Sequence, residues 1–184
     1  MEKIIEEILE EFVKIYKYFE VGFYIFLNSL IIMKKLKYSA LGFSDYEKRL
    51  IYETLNDPRG WHSLGYKFVE NSKNYDFLIK KKTSGEINNE TQSRSLYNLS
   101  VTFKGYFETT EVWINSENWK NVPINFTGTR KEYRQYLLQH EIGHVLGYDH
   151  VTYRVGRKCP VMYQQTKGTL KCKPNPWIIY DNYY

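Results

Sequence analysis

Apolar residues recur at helical spacing near both ends of the chain and alternate with polar ones in between. At the N-terminus, Ile4, Ile5, Ile8, Leu9, Phe12, Val13 and Ile15 lie among Glu2, Glu6, Glu7, Glu10 and Glu11, which predicts a helix over residues 1–37. Ser44-Asp45-Tyr46-Glu47 has the form of a capping box, and the helix it starts is stopped by Asp57-Pro58-Arg59-Gly60. β-Branched and aromatic residues alternate over residues 66–70, 75–82, 97–103 and 111–114, which predicts four strands. Residues 83–94 are polar and turn-rich and read as a loop; residues 115–130, with Pro123 and Gly128, read as irregular. A long helix begins near Lys131 and carries Tyr133, Tyr136, Leu137, His140, Ile142, His144 and Val145. After Gly147 the pattern predicts neither helix nor strand. The expectation is an α+β protein with an N-terminal helical segment over residues 1–42 and a compact domain over residues 43–184.

The uncharged stretch at residues 21–33 raises the question of a membrane. It is 13 residues long and contains Asn28 and Ser29, against the roughly 20 apolar residues that span a bilayer. Six Glu and three Lys in the first 20 residues are unlike the basic start of a secretory signal, and no small-residue cleavage site follows. Three readings stay open for residues 1–37: a soluble or interface-docking helix, a membrane anchor, or an export signal.

Composition narrows the class further. The 184 residues are 42% hydrophobic and 26% charged, enough for a core and unlike a disordered chain. Two cysteines exclude a disulfide-dense scaffold, a multi-cysteine zinc ribbon and an iron–sulfur protein. The net charge of +5 is modest and no nucleic-acid-binding module is visible, so no nucleic-acid partner is expected.

Three of the four histidines fall in His140-Glu141-Ile142-Gly143-His144-Val145-Leu146-Gly147-Tyr148-Asp149-His150. This His-Glu-x-x-His-x-x-Gly-x-x-His pattern would arise by accident in about one in 10⁵ such sequences. Residues four apart on a helix share a face, so His140 and His144 can converge on one ion. Glu141 projects about 100° away and reaches a water at that ion without ligating it. Gly147 can adopt the left-handed conformation that ends a helix, and the returning chain brings His150 as third ligand. Three neutral imidazoles leave a tetrahedral Zn²⁺, one per chain, with an open position that suits hydrolysis of an amide. Glu141 is then the general base.

The long motif resembles that of the metzincins, zinc metallopeptidases with a twisted mixed sheet, a backing helix and an active-site helix. That resemblance implies a turn whose methionine lies beneath the metal, here Met162 in Cys159-Pro160-Val161-Met162-Tyr163. A closer resemblance is to an uncharacterised zincin-like domain family of secreted bacterial proteins. Its segments match Asp57-Pro58-Arg59-Gly60-Trp61, Tyr133-Arg134-Gln135-Tyr136, Pro160-Val161-Met162-Tyr163-Gln164-Gln165-Thr166 and Cys172-Lys173-Pro174-Asn175-Pro176-Trp177. Secretion and a disulfide between Cys159 and Cys172 are implied by those relatives; in a reducing compartment the two would be thiols. Metzincins also pair substrate with an edge strand ahead of the zinc helix, which would fall at residues 111–114.

Around the motif, Gln164, Gln165 and Thr166 are candidates for substrate or oxyanion contacts, or equally for satisfying turn backbone; Tyr163 and Tyr148 are candidate hydrogen-bond donors to the transition state. His62 reads as structural. Six basic residues and no acid lie between His150 and Asp181, either a solvated face or a preference for acidic peptides. The leading expectation is a zinc peptidase acting on peptide or protein substrates; the rival is a catalytically silent zincin-like domain that binds a protein partner.

Overall fold

The computed structural model describes residues 33–93, 96, 98–105 and 108–181. The expectations for residues 1–32 lie outside the described residues. Residues 35–184 form one compact unit. Among the described residues no helix is long and apolar enough to cross a membrane.

The architecture is mixed α and β around one five-stranded, mostly parallel sheet. Strand β1 (Lys34–Leu41) is followed by helix α1 (Asp45–Leu55), a 3₁₀ turn (Trp61–Leu64), β2 (Tyr66–Glu70) and β3 (Phe77–Lys82). Helix α2 (Ser84–Thr91), β4 (Val101–Phe103), β5 (Thr110–Asn115), the short helix α3 (Ser116–Lys120) and the long helix α4 (Arg130–Leu146) complete the order. Across the sheet the strands run β2-β1-β3-β5-β4. β3 is parallel to both β1 and β5, and β4 is antiparallel to β5.

Residue type decides which way each strand faces. Phe77, Ile79, Val112 and Ile114 point into the main core, where Ile51, Leu55, Tyr133, Leu137 and Ile142 meet them from the helices. β3 lies inside the sheet and its Leu78 is buried as well, as expected of a parallel strand covered on both faces. On the opposite face, Lys80 pairs with Glu111 at 2.7 Å and Phe103 packs on Trp113. The Ser44–Glu47 capping box forms: Ser44 Oγ accepts from Glu47 N, and Glu47 accepts from Ser44 N at 2.8 Å. The same carboxylate accepts from Lys81 Nζ and Trp119 Nε1, both at 2.7 Å, binding α1 to β3 and α3. Burial alone would raise the pKa of Glu47, but these donors hold it down to about 2.

Three expectations are corrected. Residues 34–41 are strand, so the chain assigned to an N-terminal helix through residue 37 enters the sheet, and residues 35–41 belong to the compact unit with the domain that follows. Residues 84–91 are helix, not loop: a Thr83–Glu86 capping box starts α2 and Ile87 is its one fully buried side chain. Residues 116–120 form α3, capped by Asn115 and anchored by buried Trp119.

Candidate metal centre

α4 starts at a capping box between Thr129 and Glu132 and is buried along most of its second half, from Leu137 to Gly143. It ends at Gly147, whose φ of 98° is left-handed. Tyr148 N donates to Gly143 O at 2.9 Å and Gly147 N to His144 O at 3.0 Å, the paired bonds of a Schellman motif. The chain therefore reverses within one residue, and His150 returns over the helix end.

The three imidazoles meet. His150 Nε2 lies 3.1 Å from His144 Nε2 and 3.2 Å from His140 Nε2. Tautomers follow from the other nitrogens: His140 Nδ1 is 2.8 Å from Val161 O, and His144 Nδ1 is 2.8 Å from Tyr148 O. A carbonyl only accepts, so both Nδ1 atoms carry hydrogen and both Nε2 atoms present lone pairs. His150 can donate to at most one of them, whereas a cation satisfies all three. The rings are held neutral: burial, with His144 adding to it, pushes His140 down to about 3, and burial also lowers His144 and His150. Among the described residues this triad is the group of side chains placed to hold a metal ion.

Glu141 is 3% exposed yet lines the same cavity of about 570 Å³ as the three histidines. One oxygen of its carboxylate accepts from Thr102 Oγ1 at 2.7 Å. Burial raises its pKa to about 7, against the lowering effect of that hydrogen bond. Thr102 is a residue that sequence reasoning missed. It sits on β4, which, and not residues 111–114, is the sheet edge beside the cavity: β5 is paired on both sides, with β3 and β4. The edge-strand expectation is corrected accordingly.

Beneath α4 the remaining motif segments interlock. Tyr163 N donates to Pro160 O at 3.1 Å, closing a tight turn, and Met162 within it is fully buried. A Cβ on Gly143 would lie 2.2 Å from Met162 Sδ and 2.8 Å from Trp61 Cζ2, so only glycine lets the helix sit this close. Trp61 donates Nε1 to Gln139 O at 2.7 Å and stacks on Tyr148 with centroids 4.7 Å apart. Val151 N donates to Met162 O at 3.2 Å, fixing the chain just after His150. The Cys159–Cys172 disulfide is present; a loop of this size adds about 3 kcal/mol in the chain-entropy account.

The other candidates divide. Gln164 and Thr166 line the cavity at the three imidazoles, as does Tyr148. Gln165 does not: it is fully buried, and its amide bonds Pro160 O, Asn175 O and Asn175 N. Tyr163 turns the other way, against Tyr153 with centroids 4.9 Å apart. His62 lies in the 3₁₀ turn with Nδ1 3.2 Å from Tyr66 O, apart from the triad. Asn175, which the sequence reading left without a role, joins Cys159 O, Trp177 O and Asp181 Oδ1 through one amide.

The model of a family described as "Protein of unknown function (DUF3152)" matches residues 14–179. The chain belongs to this family. The matched region takes in the imidazoles, Glu141, the Pro160–Tyr163 turn and the disulfide. No curated protein matches the sequence. Among solved structures the chain is similar to one titled "Structure of myroilysin", at 12% identity and a TM-score of 0.40. That similarity covers 64% of this chain and 49% of the other, about half its length.

Proposed function

We propose that the protein is a zinc-dependent peptidase of zincin-like fold that hydrolyses peptide bonds with Glu141 as general base. The observation that carries this reading is the convergence of three Nε2 atoms at a cavity that Glu141 also lines. The donor set suits zinc. Nitrogens bound at 2.0–2.1 Å in a tetrahedron are about 3.3–3.4 Å apart, close to the 3.1 and 3.2 Å between these atoms. Three protein ligands leave a position for substrate or water, as catalytic centres require.

When bound, zinc supplies Lewis-acid polarisation of a carbonyl oxygen and makes water more acidic. Glu141 takes the proton of the attacking water and returns it to the leaving amine; a pKa raised towards neutrality suits both halves of that transfer. Thr102 holds the carboxylate in place. Tyr148 and Gln164 line the cavity and offer hydrogen bonds to the developing oxyanion. β4 offers an extended substrate the backbone groups of an edge strand. The disulfide supports an oxidising compartment, in keeping with export.

The test is cleavage of an unfolded casein-type substrate with and without chelator. Activity that chelator abolishes and zinc restores is expected. Glu141→Gln should keep the metal and lose turnover by about 10²–10⁴-fold. Full activity in Glu141→Gln, or in chelator, overturns the reading.

A further inference from the structure

Residues 151–181 contain six bases and one acid, Asp181, and so carry the whole net charge of +5, the rest of the chain being balanced. Four of those bases, Arg154, Arg157, Lys158 and Lys173, line a second cavity of about 600 Å³ that shares no residue with the metal cavity. Backbone structure gathers them. Lys158 and Lys173 face each other in a parallel bridge. Cys159 N donates to Lys173 O and Lys173 N to Arg157 O, both at 2.7 Å, and the Cys159–Cys172 disulfide locks the two segments.

None of the four cations has a salt bridge among the described residues. Among the described residues Lys158 has a ring partner, its ammonium lying over Tyr180. The one acid in the lining is committed elsewhere: Asp181 Oδ2 accepts from Val161 N at 2.8 Å and Oδ1 from the Asn175 amide at 3.3 Å. Like charges held around one cavity repel, and a bound anion removes that repulsion.

We propose that this cavity is an anion site that takes a small phosphate-bearing ligand with at least two negative charges. Its volume falls in the range of small-molecule sites. Two guanidinium groups suit the bidentate geometry of phosphate oxygens, and the charge around the cavity matches a dianion better than a single carboxylate. Free phosphates and phosphate esters share this chemistry.

The experiment is calorimetric titration of the oxidised protein at about 0.15 M ionic strength. Pyrophosphate, glycerol phosphate, citrate and acetate are the probes. Saturable pyrophosphate binding at one site per chain is expected, and it weakens at least tenfold in Arg154→Ala/Arg157→Ala/Lys173→Ala. These side chains are exposed and repel one another, so the triple variant should melt no lower than the wild type without ligand. Arg154→Lys/Arg157→Lys keeps the charge but loses the guanidinium fork, so it should bind pyrophosphate about three- to tenfold more weakly than the wild type; undiminished binding overturns the bidentate contact. Glycerol phosphate binding at the same site extends the ligand to esters; its failure restricts it to free phosphates. Citrate binding as tightly as pyrophosphate overturns the phosphate assignment. Absence of saturable binding, or undiminished binding by the triple variant, overturns the site.

Discussion

Replacing Gly143 with alanine places a Cβ 2.2 Å from Met162 Sδ, 2.8 Å from Trp61 Cζ2 and 3.0 Å from Met162 Cε. Met162 can swing aside, but Trp61 is pinned by its bond to Gln139 O and its stack on Tyr148. Overpacking of this kind costs about 1–3 kcal/mol, while alanine returns about 0.5–1 kcal/mol of helix propensity. The net expectation is a loss of up to about 2.5 kcal/mol, a fall of up to roughly 10 °C in thermal midpoint for a domain of this size. Gly85 supplies the control. It lies in α2, where an added Cβ meets nothing closer than Thr83 Oγ1 at 3.9 Å. Gly85→Ala should therefore stabilise by up to about 1 kcal/mol. Both variants are to be melted in chelator, so that metal binding does not mask the difference. If Gly143→Ala is as stable as Gly85→Ala, α4 does not rest on Met162 and Trp61 as described.

Two further expectations concern carboxylates. Thr102→Val removes the donor to Glu141 and should lower kcat by about tenfold, equivalent to ~1.5 kcal/mol for a hydrogen bond to a charged group. Zinc content should be unchanged and Thr102→Ser should restore the rate; wild-type kcat in Thr102→Val would remove Thr102 from its positioning role. Asp181 has its pKa raised by burial from 3.8 to about 7, against the lowering effect of the Val161 N–H. The folded state therefore holds the proton more tightly, so the contribution is full below about pH 4 and is lost as pH rises to about 7, on the order of 4 kcal/mol at most. Urea unfolding at pH 4.5 and 7.5 should show wild type losing more stability than Asp181→Asn; equal losses would place Asp181 in solvent.

Much of the site was legible because its chemistry is local. The i, i+4 histidines, Glu141 between them and the glycine that reverses the chain lie within eleven residues, and helix geometry alone brings them together. Met162 and the cysteines were reachable through the resemblance. What escaped depends on chain far away in sequence. Thr102 reaches Glu141 only because β4 pairs antiparallel with β5 beneath α4. Gln165 looked like a substrate contact because it follows Met162, but the fold turns its amide inward to Asn175. The helices at 84–91 and 116–120 are too short and polar to show an apolar period. Their caps, Thr83–Glu86 and Asn115, were the only signal. The strand at 34–41 was hidden by the helical pattern ahead of it, and its membership of the sheet rests on pairing with β3.

The most direct test of the metal centre is zinc X-ray absorption on the purified protein, with metal analysis of the same sample. One zinc per chain with three imidazole nitrogens at about 2.0–2.1 Å and one light-atom ligand is expected, falling to two imidazoles or to no zinc in His150→Ala. Protein that is folded and stays metal-free in excess zinc, or a bound zinc unchanged by His150→Ala, would contradict it.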